Sequence, residues 1–309
     1  MNILTTMITP YKKDGSIDYE TAEKYVDFYY ESGIDGIFAV CQSSEIFFLT
    51  LEERVELNRR VYARAKALEA KGDHPFTVVS SGHISDTLEG QAEELNAVYE
   101  SGTDALIFIT NRLDPNNEGD DVFISNAEKL ISKLPPEAKL GFYECPYPYK
   151  RLVTPKILDW ALSTGRFYYM KDTCCDAKVI AERCRQLEGS HFELLNANCQ
   201  TLLESLRLGA KGYCGIMCNY HPSLYAWLGN NFDKEPEKAE LIQSFIGTFG
   251  FIEGGVPYPL TAKYNMTLCG MPTELSTRKP DGGVMTDYAK SCIEQMKLAS
   301  DYLEQIVGK

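Results

Sequence analysis

The chain has 309 residues, 44% of them hydrophobic and 24% charged, with a formal net charge of −13. This is the balance of an ordinary globule with enough chain to bury a large core. The acidic excess argues against nucleic acid or an anionic membrane as a partner.

The start, Met1-Asn2-Ile3-Leu4-Thr5-Thr6, has no basic region followed by an apolar stretch. No run approaches the length of a membrane span. Ten cysteines are then expected as free thiols in a reducing cytoplasm.

In chain order, apolar β-rich runs alternate with amphipathic helical stretches. Strands are expected over 4–9, 36–40, 76–80, 105–110, 140–144, 167–171, 192–196 and 212–217. Near-continuous apolar runs suit parallel strands covered on both faces. Helices are expected over 19–31, 51–68, 87–100, 155–163, 177–187 and 200–208. Three of them stop on a glycine, at Ser32-Gly33, Ser101-Gly102 and Leu208-Gly209. The phrases Gly33-Ile34-Asp35-Gly36, Gly102-Thr103-Asp104-Ala105 and Gly209-Ala210-Lys211-Gly212 repeat one helix-to-strand junction. Eight such units predict a (β/α)8 barrel over residues 1–230. After a polar linker at 230–237, helices at 237–249, 258–268 and 286–307 predict a C-terminal helical extension over 231–309.

In such barrels the C-terminal strand ends carry the chemistry. The sixth run ends in Lys171-Asp172-Thr173. A lysine has little reason to close an apolar strand unless its charge is used, although most lysines are simply solvated. Apolar surroundings disfavour the ammonium form, and a neutral amine can attack a ketone to form a Schiff base. Tyr143 closes the fifth run. Neighbouring strands lie about 4.8 Å apart, so the phenol and the amine can reach one small substrate.

These residues carry a family resemblance. Thr9-Pro10 precedes Asp14-Gly15-Ser16-Ile17-Asp18, and Leu49-Thr50-Leu51-Glu52-Glu53-Arg54 follows the second strand. Tyr143-Glu144-Cys145-Pro146, Lys171-Asp172, Leu208-Gly209-Ala210-Lys211-Gly212 and Asn219 complete the pattern. From Thr5 to about Leu268 the chain resembles the dihydrodipicolinate synthase / N-acetylneuraminate lyase family of class I aldolases. The resemblance implies Lys171 as the Schiff-base lysine, Tyr143 as proton shuttle and a homo-oligomer, tetramer or dimer.

The departures are as informative. The family's carboxylate loop, Gly-Thr/Ser-Thr-Gly-Glu, is here Cys41-Gln42-Ser43-Ser44-Glu45. The Ser43 hydroxyl and the Ser43 and Ser44 amides are expected to hold a carboxylate, with Gln42 and Gly215 also lining the substrate. Glu45 is expected to fix the loop through hydrogen bonds. Arg112-Leu113 replaces a frequent tyrosine pair. Pro148 stands where the synthase branch has arginine, and Ala197-Asn198-Cys199-Gln200 lacks the acids that hold a sialic-acid tail. Little activity is therefore expected with aspartate semialdehyde or N-acetylneuraminate.

Arg112, Lys150 and Arg151 follow strand ends and are either contacts for a second anionic group or ordinary solvated charge. Cys41, Cys145, Cys174, Cys175, Cys199 and Cys214 fall near the barrel mouth without metal-ligand spacing, and small buried apolar residues are the expectation. The reading is a lyase that needs no cofactor or metal. It acts on pyruvate or another 2-oxo acid together with an aldehyde or sugar-acid substrate. A sugar-acid dehydratase using the same imine, or a non-catalytic oxo-acid-binding barrel, are the alternatives.

Overall fold

Eight parallel strands close on themselves in sequence order in the computed structural model, which describes residues 1–72 and 74–308. They are β1 Asn2–Thr6, β2 Gly36–Phe38, β3 Thr77–Ser80, β4 Ala105–Ile109, β5 Leu140–Tyr143, β6 Phe167–Asp172, β7 Glu193–Asn196 and β8 Gly212–Gly215. Pairing of Thr5 with both Ile37 and Gly215 shows β1 joining β2 and β8, which completes the ring.

The helices that cover the strands are α1 Tyr19–Glu31, α2 Leu51–Glu69, α3 Leu88–Glu100, α4 Thr110–Leu113, α5 Asp120–Ile131, α6 Pro155–Thr164, α7 Ala177–Gln186, α8 Leu202–Arg207 and α9 Pro222–Asn231. Their starts are written in short polar side chains. Asp18, Thr87, Thr154 and Asp176 each accept from backbone N–H groups of the first turn, and Thr50 forms a reciprocal capping box with Glu53. Gly33, Gly102 and Gly209 take φ of 81°, 100° and 106° just past α1, α3 and α8, the left-handed exit that glycine permits. Helix α5 follows Gly119 with no side-chain cap, so its start carries little signal.

Several strands end earlier than their apolar runs. Residues 7–9, 39–40, 110 and 217 stay buried, and Ile216 partly so, but they leave the ladder. Thr110 opens α4, and Ile216 opens a 3₁₀ turn, Ile216–Asn219. Burial at the barrel mouth keeps such residues apolar whether or not their backbone pairs, so hydrophobicity alone overestimates strand length.

Three further helices follow: α10 Pro236–Glu253, α11 Leu260–Leu268 and α12 Asp287–Ile306. The expected linker at 230–237 is shorter, because α9 runs to Asn231 and α10 starts at Pro236. Helix α9 packs on β1 and belongs to the barrel wall. Helix α10 lies against α8 and α9, and α12 against α9 and α11.

Strand alternation sets up the site. Phe142 and Met170 point outward into the layer between strands and helices, where the Phe142 and Phe167 rings stack with centroids 4.4 Å apart. Their neighbours Tyr143 and Lys171 therefore face the barrel interior.

Candidate active site

Tyr143 and Lys171 are direct cross-strand partners at the mouth ends of β5 and β6. Lys171 Nζ lies 4.3 Å from the centroid of the Tyr143 ring and 5.7 Å from that of Phe38. The lysine is 8% exposed, and among the described residues no carboxylate lies within 4.0 Å of its amine. The aromatic faces are its near neighbours. The Tyr143 hydroxyl donates to Gln42 Oε1 at 2.9 Å. Burial holds the phenol well above its ordinary pKa of 10.0, so it carries its proton throughout the neutral range.

The loop after β2 turns at Gln42–Ser44 and brings Gln42 and Ser43 to the same mouth. Ser43 Oγ donates to Thr6 Oγ1 at 3.1 Å and also lines the cavity. Ser44 does not serve as expected. Its hydroxyl lies against the Ala39 carbonyl and 2.7 Å from the Met7 carbonyl oxygen, and its amide donates to Cys41 O at 3.0 Å. The tight turn consumes that amide, one of the two expected to hold a carboxylate. Gln42 is turned toward Tyr143 by the hydrogen bond just described.

Glu45 takes φ of 62°, a left-handed position where the family pattern has a flexible glycine beside it. Its carboxylate compensates. One oxygen accepts from Lys263 Nζ at 3.1 Å, and the other from Thr277 Oγ1 and the Arg278 N–H, both at 2.7 Å. Glu45 thus fixes the loop, and it also ties residues 277–278 across the mouth. Lys263 is fully buried, which makes this pairing the compensation for two interior charges.

The three basic candidates separate. Arg151 is turned away from the mouth: its guanidinium pairs with Asp114 and Asp120, each at 2.8 Å, and is 9% exposed. Arg112 pairs with Asp86 at 2.8 Å and lies over the Phe47 ring, outside the cavity lining. A basic residue after a strand end meets acids of the neighbouring loops as readily as substrate, and sequence position does not separate the two. Lys150 alone of the three lines the cavity, with its amine donating to Thr173 O at 2.7 Å.

The cavity over Lys171 has a volume of about 740 Å³. Gly215 lines it, and a Cβ there would meet the Tyr213 hydroxyl at 2.2 Å and Ala197 O at 2.8 Å. Sequence reasoning missed Phe47, Tyr147, Tyr258 and Lys279, which also line it. Lys279 comes from the segment between α11 and α12, remote in sequence from every barrel strand.

Behind the site, Arg183 of α7 pairs with Glu144 at 2.7 Å and with Asp172, all three buried. Asp172 also accepts from the Cys174 N–H at 2.8 Å, and Glu144 from the N–H of Thr173 and of Val153. The residues following Tyr143 and Lys171 therefore clamp β5 to β6, and Asp172 supports the strand end. Cys41, Cys145, Cys199 and Cys214 are buried, but Cys174 is half-buried and Cys175 exposed. The chain turns outward after Asp172, with Cys175 at φ 58°. Burial raises the Cys145 thiol and pushes Cys214 up to about 12, so both stay protonated. Among the described residues no group of three His, Cys, Asp or Glu is placed to hold a metal ion.

Comparison with known proteins agrees with the fold. Residues 1–68 match the dihydrodipicolinate synthetase family. The chain is 22% identical over 223 residues to 4-hydroxy-tetrahydrodipicolinate synthase of Coxiella burnetii, covering 72% of this chain and 71% of that protein. It is 27% identical over 219 residues to the protein of the same name from Prochlorococcus marinus, covering 69% and 67%. Among solved structures it is similar to DHDPS from Cyanidioschyzon merolae, with TM-score 0.84 and 20% identity over 97% of this chain and 98% of that one. It is also similar to YagE of Escherichia coli K12 in complex with pyruvate, with TM-score 0.83 and 19% identity over 98% of each chain.

Proposed function

We propose that this chain, a divergent member of the dihydrodipicolinate synthetase family, is a Schiff-base-forming lyase acting on pyruvate or another 2-oxo acid. The observation that carries the proposal is Lys171 itself: a buried amine facing a cavity, beside a protonated phenol and, among the described residues, without a carboxylate partner.

In this reading the Lys171 amine attacks the ketone and forms a carbinolamine. Loss of water gives the imine. The protonated imine accepts the electron pair released at the adjacent carbon, giving an enamine, so no metal or cofactor is needed as electron sink. Tyr143 donates a proton to the departing hydroxyl and recovers one as the bond to the second substrate is made or broken. The Gln42 carbonyl accepts the Tyr143 O–H and holds it in one direction. Ser43 anchors the carboxylate through its hydroxyl and amide. Gly215 lines the space proposed for the bound acid.

The second substrate is an aldehyde or sugar acid. Pro148, standing where the synthase branch has arginine, and the segment Ala197-Asn198-Cys199-Gln200, which lacks the acids that hold a sialic-acid tail, support a partner other than aspartate semialdehyde or N-acetylneuraminate. Ten free thiols support a reducing cytoplasmic setting, and a homo-oligomer is the proposed assembly. Among the described residues no helix is long and apolar enough to cross a membrane.

The test is borohydride trapping with pyruvate, read by mass spectrometry and peptide mapping. A stable adduct on Lys171 is expected. An adduct on Lys150, Lys263 or Lys279 instead, or none with any 2-oxo acid, overturns the assignment.

A further inference from the structure

We infer that Lys279, with Lys150, binds a second anionic group on the substrate, remote from the oxo acid's own carboxylate, and so sets the substrate class. The inference rests on the proposed function and deepens it.

The charge lining the cavity is the first argument. Lys150, Lys171 and Lys279 face it, against Glu45 and Asp281. Glu45 is already neutralised by Lys263 and accepts from Thr277 and Arg278 with its second oxygen. Asp281 lies 3.5 Å from Lys279 and is 80% exposed, so water competes for that pair. A cationic lining remains in a chain whose net charge is −13. Lys150 uses one of its three N–H donors on Thr173 O and, among the described residues, keeps two.

The second argument is how Lys279 is held. Its N–H donates to Thr277 Oγ1 at 3.1 Å, and its carbonyl accepts from Gly282 N–H at 3.0 Å. Thr277 Oγ1 in turn donates to Glu45 Oε2 at 2.7 Å. Arg278 anchors the same segment through Glu53 at 2.7 Å and the Gly15 carbonyl. The backbone of Lys279 is thereby tied to the loop that presents Gln42 and Ser43. A flexible side chain on a fixed backbone at the cavity wall suits recognition of an oxyanion. Carboxylate and phosphate share the chemistry that two ammonium groups recognise.

The test compares half-saturating concentrations for borohydride trapping of 2-oxobutyrate, 2-oxoglutarate and 2-oxo-4-phosphonobutyrate. The intact protein should favour one or both of the doubly charged acids over 2-oxobutyrate. Lys279→Met should shrink that preference about five-fold, as fits a half-exposed ion pair, and Lys279→Arg should keep most of it. Loss of preference for 2-oxoglutarate alone identifies a carboxylate, and for the phosphonate alone a phosphate. Calorimetric binding of glutarate, which has no ketone, reads the same site without an imine. No adduct with any oxo acid would sink the lyase reading. Adducts that form with an unchanged preference in Lys279→Met, together with unchanged glutarate binding, would sink this inference alone.

Discussion

Lys171 and Tyr143 would fail in different ways. Lys171→Ala removes the nucleophile, so the borohydride adduct should vanish. Tyr143→Phe leaves the amine in place and removes a proton carrier, so turnover should fall by about 10²–10⁴ while trapping persists at a slower rate. Because burial holds the Tyr143 phenol far above 10, its ionisation should not limit activity on the alkaline side between pH 7 and 9. A rate that falls through pH 8 with the ultraviolet signature of tyrosinate would contradict this. Activity should also survive exhaustive chelation, since the imine is the electron sink. Loss restored by one divalent metal would require another mechanism. At this scale the chain order Tyr143-x-x-Pro146 and Lys171-Asp172 was enough to place the phenol and the amine on neighbouring strand ends. The partners of Arg112 and Arg151 were not legible, because each is set by a loop 26 to 37 residues away, and that of the Ser44 amide follows from a tight turn that its sequence does not announce.

Two element-scale features hold the mouth in shape. Arg183 of α7 links Glu144 after β5 to Asp172 at the end of β6. Arg183→Leu would leave two buried carboxylates without their cation, and should cost about 3–5 kcal/mol in chemical denaturation. A cost under about 1 kcal/mol would show that the clamp is dispensable. His83 fixes the end of β4: its Nε2 accepts from the Ile109 N–H at 2.7 Å, so the proton sits on Nδ1 and is directed to Gln91 Oε1. Burial lowers His83 to about 4, and burial lowers His221 to about 3. A histidine depressed in the folded state adds nothing above the unfolded value near 6.5. Below it the unfolded chain binds the proton first, so stability falls as pH drops from about 6.5 towards 4 and 3. For His83 the full loss is roughly 3 kcal/mol. Urea midpoints should decline from pH 7 to pH 5, and His83→Asn should flatten part of that decline.

For the molecule as a whole, α10 and α12 leave large apolar side chains in solvent. Phe251 is 83% exposed and Leu298 73%, with Tyr288 and Tyr302 also uncovered. Exposed apolar groups of this size suit contact between copies. Sedimentation should return a dimer or tetramer at micromolar concentration, and a monomer there would count against the proposed assembly.

The repeated apolar runs, polar caps and glycine stops determine the barrel, since each acts within a few residues of where it stands. They also place Lys171 and Tyr143 side by side, because parallel neighbours in a barrel follow chain order. Strand ends were overextended, because a buried mouth loop and a buried strand share one composition. Only the tertiary structure decided that Gln42 accepts from Tyr143, that Arg151 belongs to Asp114 and Asp120, and that Glu45 draws Lys279 to the cavity. Those pairings join residues 31 to 232 positions apart. No local pattern encodes them, and they depend on which loops the closed barrel brings to one rim.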